Sequence, residues 1–228
     1  MAYIKMFCAL PQKTGVTAQY FHDHWRHPHG SLGLEISTNL HYVQTHRIDS
    51  AVLPDSQSRY EGVVEVWFAD VDAAAGLPDD PLYQRYLVPD EPNFIDMDGI
   101  RFLFTDEEVL DPGPALPHHR AEDLFWKEPE RATSIKLLQL VEIDGALPWA
   151  QEKDIHLGRQ IGAFRHTRCH VNSDLHPDGC SFIGVRELWW PTVTAFEEGV
   201  ERCPQAFHEL LDRPRVAATL LGTAERFR

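Results

Sequence analysis

Apolar and polar residues alternate in several short stretches of the chain, which is the pattern of β-strands with one face turned to a core. The strongest stretch covers residues 60–69, and its central part, residues 62–68, is echoed about half a chain later by residues 184–190. A weaker echo links residues 4–7 with residues 135–138. Because self-similarity at a long period marks a repeated structural unit, the chain is interpreted as two copies of one module.

The first half predicts elements in the order β, α, β, β, α, β. Thr17 is a suitable N-cap for a helix over residues 18–26, which Pro28 then interrupts. A second helical piece follows over residues 32–38, and a further helix begins near residue 70. The four strands of this half are predicted at residues 3–10, 40–47, 60–69 and 101–110.

The second half repeats this order. Helices are predicted near residues 148–161 and over residues 193–211, and strands over residues 135–142, 164–171, 181–190 and 217–227. The order is that of the ferredoxin-like fold, a four-stranded antiparallel sheet with helices on one face. We therefore predict an α+β protein built from two ferredoxin-like βαββαβ modules.

The second face of each sheet also needs a cover. In residues 62–68 one strand face carries Val64 and Val66, while the other carries Glu65 and Trp67, and neither face suits water. Two modules satisfy both sheets by packing sheet to sheet, which predicts an intrachain pseudo-dimeric α/β barrel.

Prolines separate the two halves. Residues 111–117 contain three prolines, which remove backbone donors and restrict the residues before them. We predict a first module over residues 1–110, a proline-rich and charged linker over residues 111–131, and a second, degenerate module over residues 132–228.

Composition narrows the range of partners. The chain of 228 residues has a net charge of −14, which works against extended contact with nucleic acid or an anionic membrane. No apolar run approaches the roughly 18 residues of a membrane span, and the start lacks the pattern of a secretion signal. We expect a soluble, cytoplasmic protein that binds a small molecule, and a possible homodimer of pseudo-dimeric chains through exposed sheet edges. The four cysteines lack a CxxC spacing and are interpreted as free thiols.

The segment with the most candidate chemistry is residues 21–30, which holds four histidines within eight positions. On a helix, Phe21 and Trp25 form an aromatic stripe, with His22 and His29 beside it. Such rings suit a flat apolar ligand, and a neutral imidazole can move a proton. The alternative is that the aromatic rings are core residues and the histidines are surface or capping residues.

A metal site in this segment is disfavoured by geometry. His22 and His29 lie two helical turns apart, about 10 Å along the axis, which is too far for one ion. No H-E-x-x-H motif or paired-cysteine motif is present. We predict no metal site.

Glu65 precedes Trp67 by two residues, so both side chains lie on one strand face, and the repeat has Glu187 before Trp189. An acid buried beside a tryptophan has a raised pKa and can act as a general acid or base. The alternative is a structural pair of carboxylates bonded to Arg186, a tyrosine or the backbone. A polar row on the second strand adds Tyr42, Gln44 and His46 as candidates for lining a cleft, and the repeat has His166, Arg168 and His170 there.

Taken as a set, these residues resemble the EthD family of dimeric α/β-barrel proteins over most of residues 3–110. The resemblance rests on residues 4–7, on Phe21, His24, Trp25, His29 and Gly30, on Tyr42, Val43, Gln44 and His46, on Gly62, Glu65 and Trp67, and on Asp90, Glu91, Phe94, Ile95 and Asp96.

The resemblance implies a modest functional range. EthD-like proteins accompany ether-degrading oxygenase systems, and relatives in the barrel superfamily include cofactor-free cyclases, decarboxylases, isomerases and quinone-forming monooxygenases, while others bind haem. Among the family's functional positions, the resemblance is clearest at Trp25 and His29. They are followed by Tyr42, His46, Glu65 and Asp96. The second half has lost the histidine-rich helix, which predicts one pocket per chain, in the first half.

The favoured hypothesis is a cofactor-independent enzyme that performs proton-transfer or oxidative chemistry on an apolar, aromatic or polyketide-like molecule. His29 or His24 would be the base, with Glu65 or Tyr42 as its partner. A non-catalytic accessory or ligand-carrying protein is the second hypothesis, and a histidine-ligated haem ranks third. The candidate catalytic residues are thus His29, His24 and Glu65, and the candidate substrate-binding residues are Trp25, Tyr42, His46, Trp67 and Asp96.

Overall fold

The computed structural model describes residues 3–53, 59–111, 132–143, 149–214 and 216–228. Within them, eight antiparallel strands close into a barrel. The alternating patterns of the sequence therefore form strands close to their predicted bounds. The strands are β1 Ile4–Leu10, β2 His41–Arg47, β3 Gly62–Phe68, β4 Arg101–Asp111, β5 Thr133–Glu142, β6 Arg165–Val171, β7 Phe182–Trp190 and β8 Ala217–Arg226.

Around the barrel the strands follow the order β1-β3-β2-β8-β5-β7-β6-β4. The first half thus contributes β4-β1-β3-β2 and the second half β8-β5-β7-β6, the same order in each half. The halves join where β2 pairs with β8 and where β4 pairs with β6, both antiparallel. Closure pairs both edges of each half within the chain, so the edge pairing expected between two chains is not available from these eight strands.

Helices cover the outside of the barrel. They are α1 Ala18–His24, α2 Ser31–Gly33, α3 Val71–Ala75, α4 Asp154–Gln160, α5 Val193–Arg202 and α6 Pro204–Asp212. The helix predicted over residues 193–211 is therefore two helices, because Pro204 lacks the N–H that would continue the first one. The piece predicted over residues 32–38 shortens to α2. Of the predicted linker, residues 112–131 lie outside the described part, and Asp111 is the last residue of β4.

The barrel interior has an apolar layer and a charged layer. Phe7, Val63, Leu138 and Val185 belong to the buried apolar layer. The charged layer, which we call the quartet, consists of Lys5, Glu65, Lys136 and Glu187. The side chains of all four have no solvent exposure.

Within the quartet every ammonium meets both carboxylates. Lys5 Nζ lies 2.9 Å from Glu65 and 2.8 Å from Glu187, and Lys136 Nζ lies 2.7 Å and 3.1 Å from the same two groups. Burial alone would lower the pKa of Lys5, but Glu187 and Glu65 raise it well above its ordinary value. Burial would likewise raise the pKa of Glu187, but Lys5 and Lys136 lower it. Lys5 and Glu187 are therefore charged at neutral pH.

Each half also supplies one hydroxyl to the quartet. Thr45 donates to Glu65 at 2.9 Å, and Thr167 donates to Glu187 at 2.8 Å. The two carboxylates thus form the structural pair considered in the sequence analysis, but their partners are lysines and threonines. Arg186, named there as a possible partner, lies instead on the outer face of β7.

No helix in the described part of the chain combines the length and the apolar character that a membrane crossing requires.

Candidate functional site

A pocket lies between the outer face of the first-half sheet and the helical segments that cover it. Its space amounts to about 520 Å³, measured out to its open mouth and including solvent there. Most of the wall is apolar, and the polar groups come from few side chains. The lining residues are Met6, Cys8, Leu10, His29, Gly33, Ile36, Asn39, Tyr42, Val64, Val66, Leu77, Tyr83, Leu87, Glu91, Ile95 and Phe102.

The histidine-rich segment reaches this pocket through a kink. Thr17 caps α1 by accepting a hydrogen bond from the Tyr20 N–H at 3.1 Å, as predicted. The helical path continues to Trp25 and then breaks at His27, whose backbone is extended, with φ −153° and ψ 125°. The His27–Pro28 peptide bond is cis. The turn that follows carries His29 into the pocket wall.

His29 is held by a carboxylate that the sequence analysis did not select. Its Nδ1 lies 2.9 Å from Asp90 Oδ2, and His24 Nε2 lies 2.9 Å from Asp90 Oδ1. Burial alone would raise the pKa of Asp90, but hydrogen bonds from His29, Asn93 and His24 hold it well below its usual range. An ionised Asp90 only accepts, so His29 carries its hydrogen on Nδ1. The Nε2 lone pair is then left for a ligand.

Two tyrosines and a second carboxyl group supply the remaining chemistry. Tyr83 donates its hydroxyl hydrogen to Glu91 Oε1 at 3.0 Å, and burial raises the pKa of Glu91. Gln44 Nε2 donates to the hydroxyl oxygen of Tyr42 at 2.7 Å. Burial also raises the pKa of Tyr42, so its phenol stays protonated. The pocket therefore combines an oriented imidazole with a hydroxyl donor in apolar surroundings.

Trp25 lies behind the pocket, across the start of β3. It is fully buried, and a Cβ at Gly62 would overlap its ring. In the second half a Cβ at Gly184 would meet the ring of Trp149 in the same way. The glycine at the start of each repeated segment, residues 62–68 and 184–190, thus has a tryptophan packed on it, and at Gly184 the Cys169 carbonyl also leaves no room for a Cβ. Trp149 takes the place that Trp25 has in the first half.

Replacing Gly62 by alanine is expected to lower the free energy of unfolding by about 1–3 kcal/mol, the usual cost of overpacking a core. The added methyl group would displace the ring of Trp25, which is fully buried. Urea denaturation measures the effect. The control is Gly33→Ala, where a Cβ would lie at least 3.5 Å from its nearest neighbour in Tyr42. If both variants lose the same stability, the packing of Trp25 on Gly62 does not matter.

The structure brings only some of the predicted site residues together. His29 and Tyr42 line the pocket, and His24 shares Asp90 with His29. His46 lies behind the pocket, with its ring centroid 4.4 Å from that of Trp25. Glu65 and Trp67 face the barrel interior, on the opposite side of the sheet from His29. Asp96 is exposed, and its carboxylate accepts from the Asp98 N–H.

Asp90, Glu91 and Tyr83 are the site residues that sequence reasoning did not assign. Asp90 and Glu91 belong to the set of positions that carry the family resemblance, which was the available signal for them. They lie in a short helical turn and its flank, Glu91–Asn93. They lie outside any segment with the periodicity of a strand or a helix, so the sequence pattern could not place them beside His29.

The corresponding space in the second half is filled. Arg186 precedes Glu187 as Val64 precedes Glu65, and it is fully buried. Its guanidinium donates to Gln139 Oε1 at 2.9 Å and to the Trp149 carbonyl at 3.2 Å. A charged side chain with fixed partners thus stands where the first half has a small apolar pocket residue.

A further cluster inside the barrel has the residue types of a metal site. Oxygen and sulfur atoms of Glu107, Cys169 and Glu187 lie within 4.8 Å of one another. The Lys5 ammonium lies 2.8 Å from Glu187 and 3.3 Å from Glu107, so a cation already neutralises these carboxylates. The cluster therefore belongs to the quartet and its surroundings.

Comparisons with known proteins agree with this fold. Residues 13–98 match the model of the EthD domain, which confirms the resemblance. An anthrone oxidase-like protein of known structure superposes with a TM-score of 0.58 at 11% identity, over 100% of this chain and 92% of its own. A monooxygenase-like protein from Fusobacterium nucleatum gives 0.53 at 7% identity, over 99% of this chain and 95% of its own.

A chlorite dismutase-like protein gives a TM-score of 0.51 at 9% identity, over 100% of this chain and 96% of its own. No protein with a curated description matches the chain in sequence. At these identities the structural likeness concerns the fold. The chain therefore has an α+β fold similar to that of the dimeric α/β barrel proteins, and its residues 13–98 match the model of the EthD domain.

Proposed function

We propose that the chain is an enzyme that removes a proton from an apolar, aromatic molecule bound in the first-half pocket, with His29 as the general base. It would do so without an organic or metal cofactor. The reaction class is oxidative, with dioxygen as the second substrate.

The observation that carries the proposal is the hydrogen bond between His29 and Asp90. A carboxylate on Nδ1 fixes the imidazole tautomer and stabilises the imidazolium that forms when Nε2 takes a proton. His29 is 8% exposed, so this base works in a site that largely excludes water. A base poised in this way supports proton transfer more than simple ligand storage.

The other polar groups support a substrate that carries oxygen. The Tyr42 hydroxyl can donate to a carbonyl oxygen on which negative charge develops when a neighbouring C–H or O–H loses its proton. Aliphatic and aromatic side chains from the sheet and the helical turns would hold the rings. A fused aromatic ketone or phenol combines both features.

The names of two structural neighbours, an anthrone oxidase-like and a monooxygenase-like protein, are consistent with an oxidative reaction of this type. Anthrone is a suitable probe, because loss of a C10 proton gives a delocalised enolate. Two electrons of the enolate then reduce dioxygen, which forms a C10 hydroperoxide, and loss of water leaves a carbonyl. Overall, one anthrone and one dioxygen give one anthraquinone and one water.

The experiment is a stoichiometric assay of the purified protein with anthrone and dissolved oxygen. We expect one dioxygen to be consumed for each anthraquinone formed, faster than in buffer and unchanged by a metal chelator. If the protein binds anthrone but leaves the rate at the buffer value, the second hypothesis, a ligand-carrying accessory protein, replaces this one.

We further propose that the two halves are ferredoxin-like modules of a pseudo-dimer, in which the second module serves the first as a built-in partner. Support comes from the identical strand order of the halves, from the quartet to which each half gives one lysine and one glutamate, and from the tryptophan packed on each repeated glycine. Arg186, which fills the second-half space, supports one working pocket per chain.

A further inference from the structure

A second group of imidazoles lies behind the pocket and connects to it. Glu61 Oε1 lies 3.0 Å from His22 Nε2, and His22 Nδ1 lies 2.9 Å from His46 Nδ1. His46 Nε2 lies 3.1 Å from Gln44 Oε1, and Gln44 Nε2 lies 2.7 Å from the Tyr42 hydroxyl. Gln44 is fully buried and His46 is 2% exposed. This chain of hydrogen bonds, which we call the relay, runs from the surface to the pocket wall.

The orientation of the Gln44 amide, and with it the direction of its hydrogen bonds, follows from one carbonyl group. Gln44 Nε2 lies 3.0 Å from the backbone oxygen of Trp25, which can only accept. The amide nitrogen of Gln44 must therefore face Trp25, and its two hydrogens serve Trp25 and the Tyr42 oxygen. Because that oxygen accepts, the hydroxyl hydrogen of Tyr42 is free to be donated to a ligand.

The same argument assigns the hydrogens of His46. Its Nε2 faces the carbonyl oxygen of Gln44 and must donate to it. Burial, with the charges of Arg26 and His22, lowers the pKa of His46 to about 2, so its ring is neutral. A neutral ring with hydrogen on Nε2 has a lone pair on Nδ1. His22 Nδ1 must therefore donate to His46.

Glu61 assigns the other nitrogen of His22. Burial alone would raise the pKa of Glu61, but the hydrogen bond from His22 and the charge of Arg47 lower it. Arg47 Nε lies 3.1 Å from Glu61 Oε2, which favours the carboxylate independently of His22. A carboxylate only accepts, so His22 Nε2 donates as well. His22 thus donates from both nitrogens, which only an imidazolium can do.

We infer that His22 is a positioning residue whose protonated ring, through His46 and Gln44, holds the Tyr42 hydroxyl as a hydrogen-bond donor, so that the pocket selects ligands with an acceptor oxygen, such as aromatic ketones. The inference rests on the proposed function only in taking this pocket as the substrate site. It adds the residues that hold the Tyr42 hydroxyl as a donor and a dependence of ligand binding on pH.

The sign of the pH dependence follows from the relay. When His22 loses its Nδ1 hydrogen, His46 must turn its hydrogen to Nδ1, and its Nε2 lone pair then opposes the Gln44 oxygen. Gln44 cannot relieve this repulsion by turning its amide, because the Trp25 carbonyl holds the nitrogen. Its side chain must shift instead, so that its hydrogen bond no longer holds the Tyr42 hydroxyl in place. The groups facing the histidines from other elements are Arg47 and Glu61, and the pair of Arg26 and Glu225 at 2.7 Å, with Glu225 3.8 Å from His46. Affinity for an acceptor ligand should therefore be lower at a pH where His22 has lost this hydrogen.

Nuclear magnetic resonance of protein labelled with ¹⁵N-histidine tests the relay without any ligand or turnover. At neutral pH we expect His22 to have hydrogen on both ring nitrogens and His46 to be neutral, with hydrogen on Nε2. The variants His22→Gln and His46→Gln assign the signals. A neutral His22 at pH values where Glu61 is ionised would overturn the inference.

Binding of 9-fluorenone and fluorene tests the selection, because the two probes differ in the carbonyl oxygen. We expect Tyr42→Phe to weaken fluorenone binding about tenfold and to leave fluorene unchanged, which corresponds to one hydrogen bond. In the wild type, fluorenone affinity should fall with rising pH, and in Tyr42→Phe this fall should disappear. His27→Gln, at an exposed histidine of the same segment, is the matched control and should bind as the wild type does.

The two probes are not turned over, so a failure of proton abstraction by His29 leaves this test intact. If Tyr42→Phe binds fluorenone as tightly as the wild type, or keeps the same pH dependence, the inference is overturned even where the anthrone assay succeeds.

Discussion

Replacing His29 by alanine is expected to lower kcat for anthrone oxidation by about 100-fold to 10,000-fold, the usual contribution of a positioned general base. The imidazole that Asp90 orients is removed, and the cavity left behind can admit only a weakly basic water molecule. The Kd of anthrone should change little, because the apolar walls from β1 and β3 remain. Anthraquinone formation at saturating anthrone and a separate ligand titration measure the two effects.

Two further variants test that this loss reflects a base and not a damaged fold. His27→Ala removes an exposed histidine that bonds to Ser31, and it should keep the wild-type kcat. Asp90→Asn keeps the shape of Asp90 but lets an amide donate to His29 Nδ1, which leaves the ring hydrogen on Nε2, so that Nε2 cannot accept a proton and kcat should also fall. Wild-type kcat in His29→Ala would remove this residue from the mechanism.

Replacing Glu65 by glutamine is expected to lower the free energy of unfolding by about 3–5 kcal/mol, the cost of breaking a buried ion pair from one side. The variant leaves two buried lysines, Lys5 and Lys136, with Glu187 as the one remaining carboxylate of the quartet. Since both lysines are fully buried, water cannot take over the lost interaction. Urea denaturation followed by circular dichroism measures the change.

The quartet makes a specific prediction for a double variant. Glu65→Gln with Lys136→Met removes one charge of each sign and leaves the pair of Lys5 and Glu187 at 2.8 Å. This protein should be more stable than Glu65→Gln alone, whereas two unrelated core changes would add their losses. The surface variant Glu35→Gln should stay within about 0.5 kcal/mol of the wild type. Additive losses in the double variant would contradict the view that the four charges act as one unit.

The strands and the repeat could be predicted because a strand with a buried face has a period of two, and the chain states that pattern twice. The same period could not show that Glu65 lies away from the pocket that contains His29. Both faces of β3 are buried, one by the barrel interior and the other by the helical layer, so alternation separated Glu65 from Val64 without saying which face held the pocket.

Other parts of the site could not be predicted from local sequence patterns. Asp90 reaches His29 across 61 positions of the chain, through a turn with no regular period. The relay depends on the direction of single hydrogen bonds, which follow from the Trp25 carbonyl and not from residue type. The loss of the second pocket, in contrast, had a visible signal, because Arg186 stands in the repeat where the first half has Val64.

Deuterium exchange at C10 of anthrone in D₂O without oxygen, followed by proton NMR, tests whether His29 is the general base. It detects removal of the proton separately from any later oxidation. We expect the wild-type protein and His27→Ala to accelerate this exchange, and His29→Ala to leave it at the buffer rate. If the wild-type protein leaves the exchange at the buffer rate while binding anthrone, or if His29→Ala accelerates it equally, His29 is not the base and the pocket is not a site of proton abstraction.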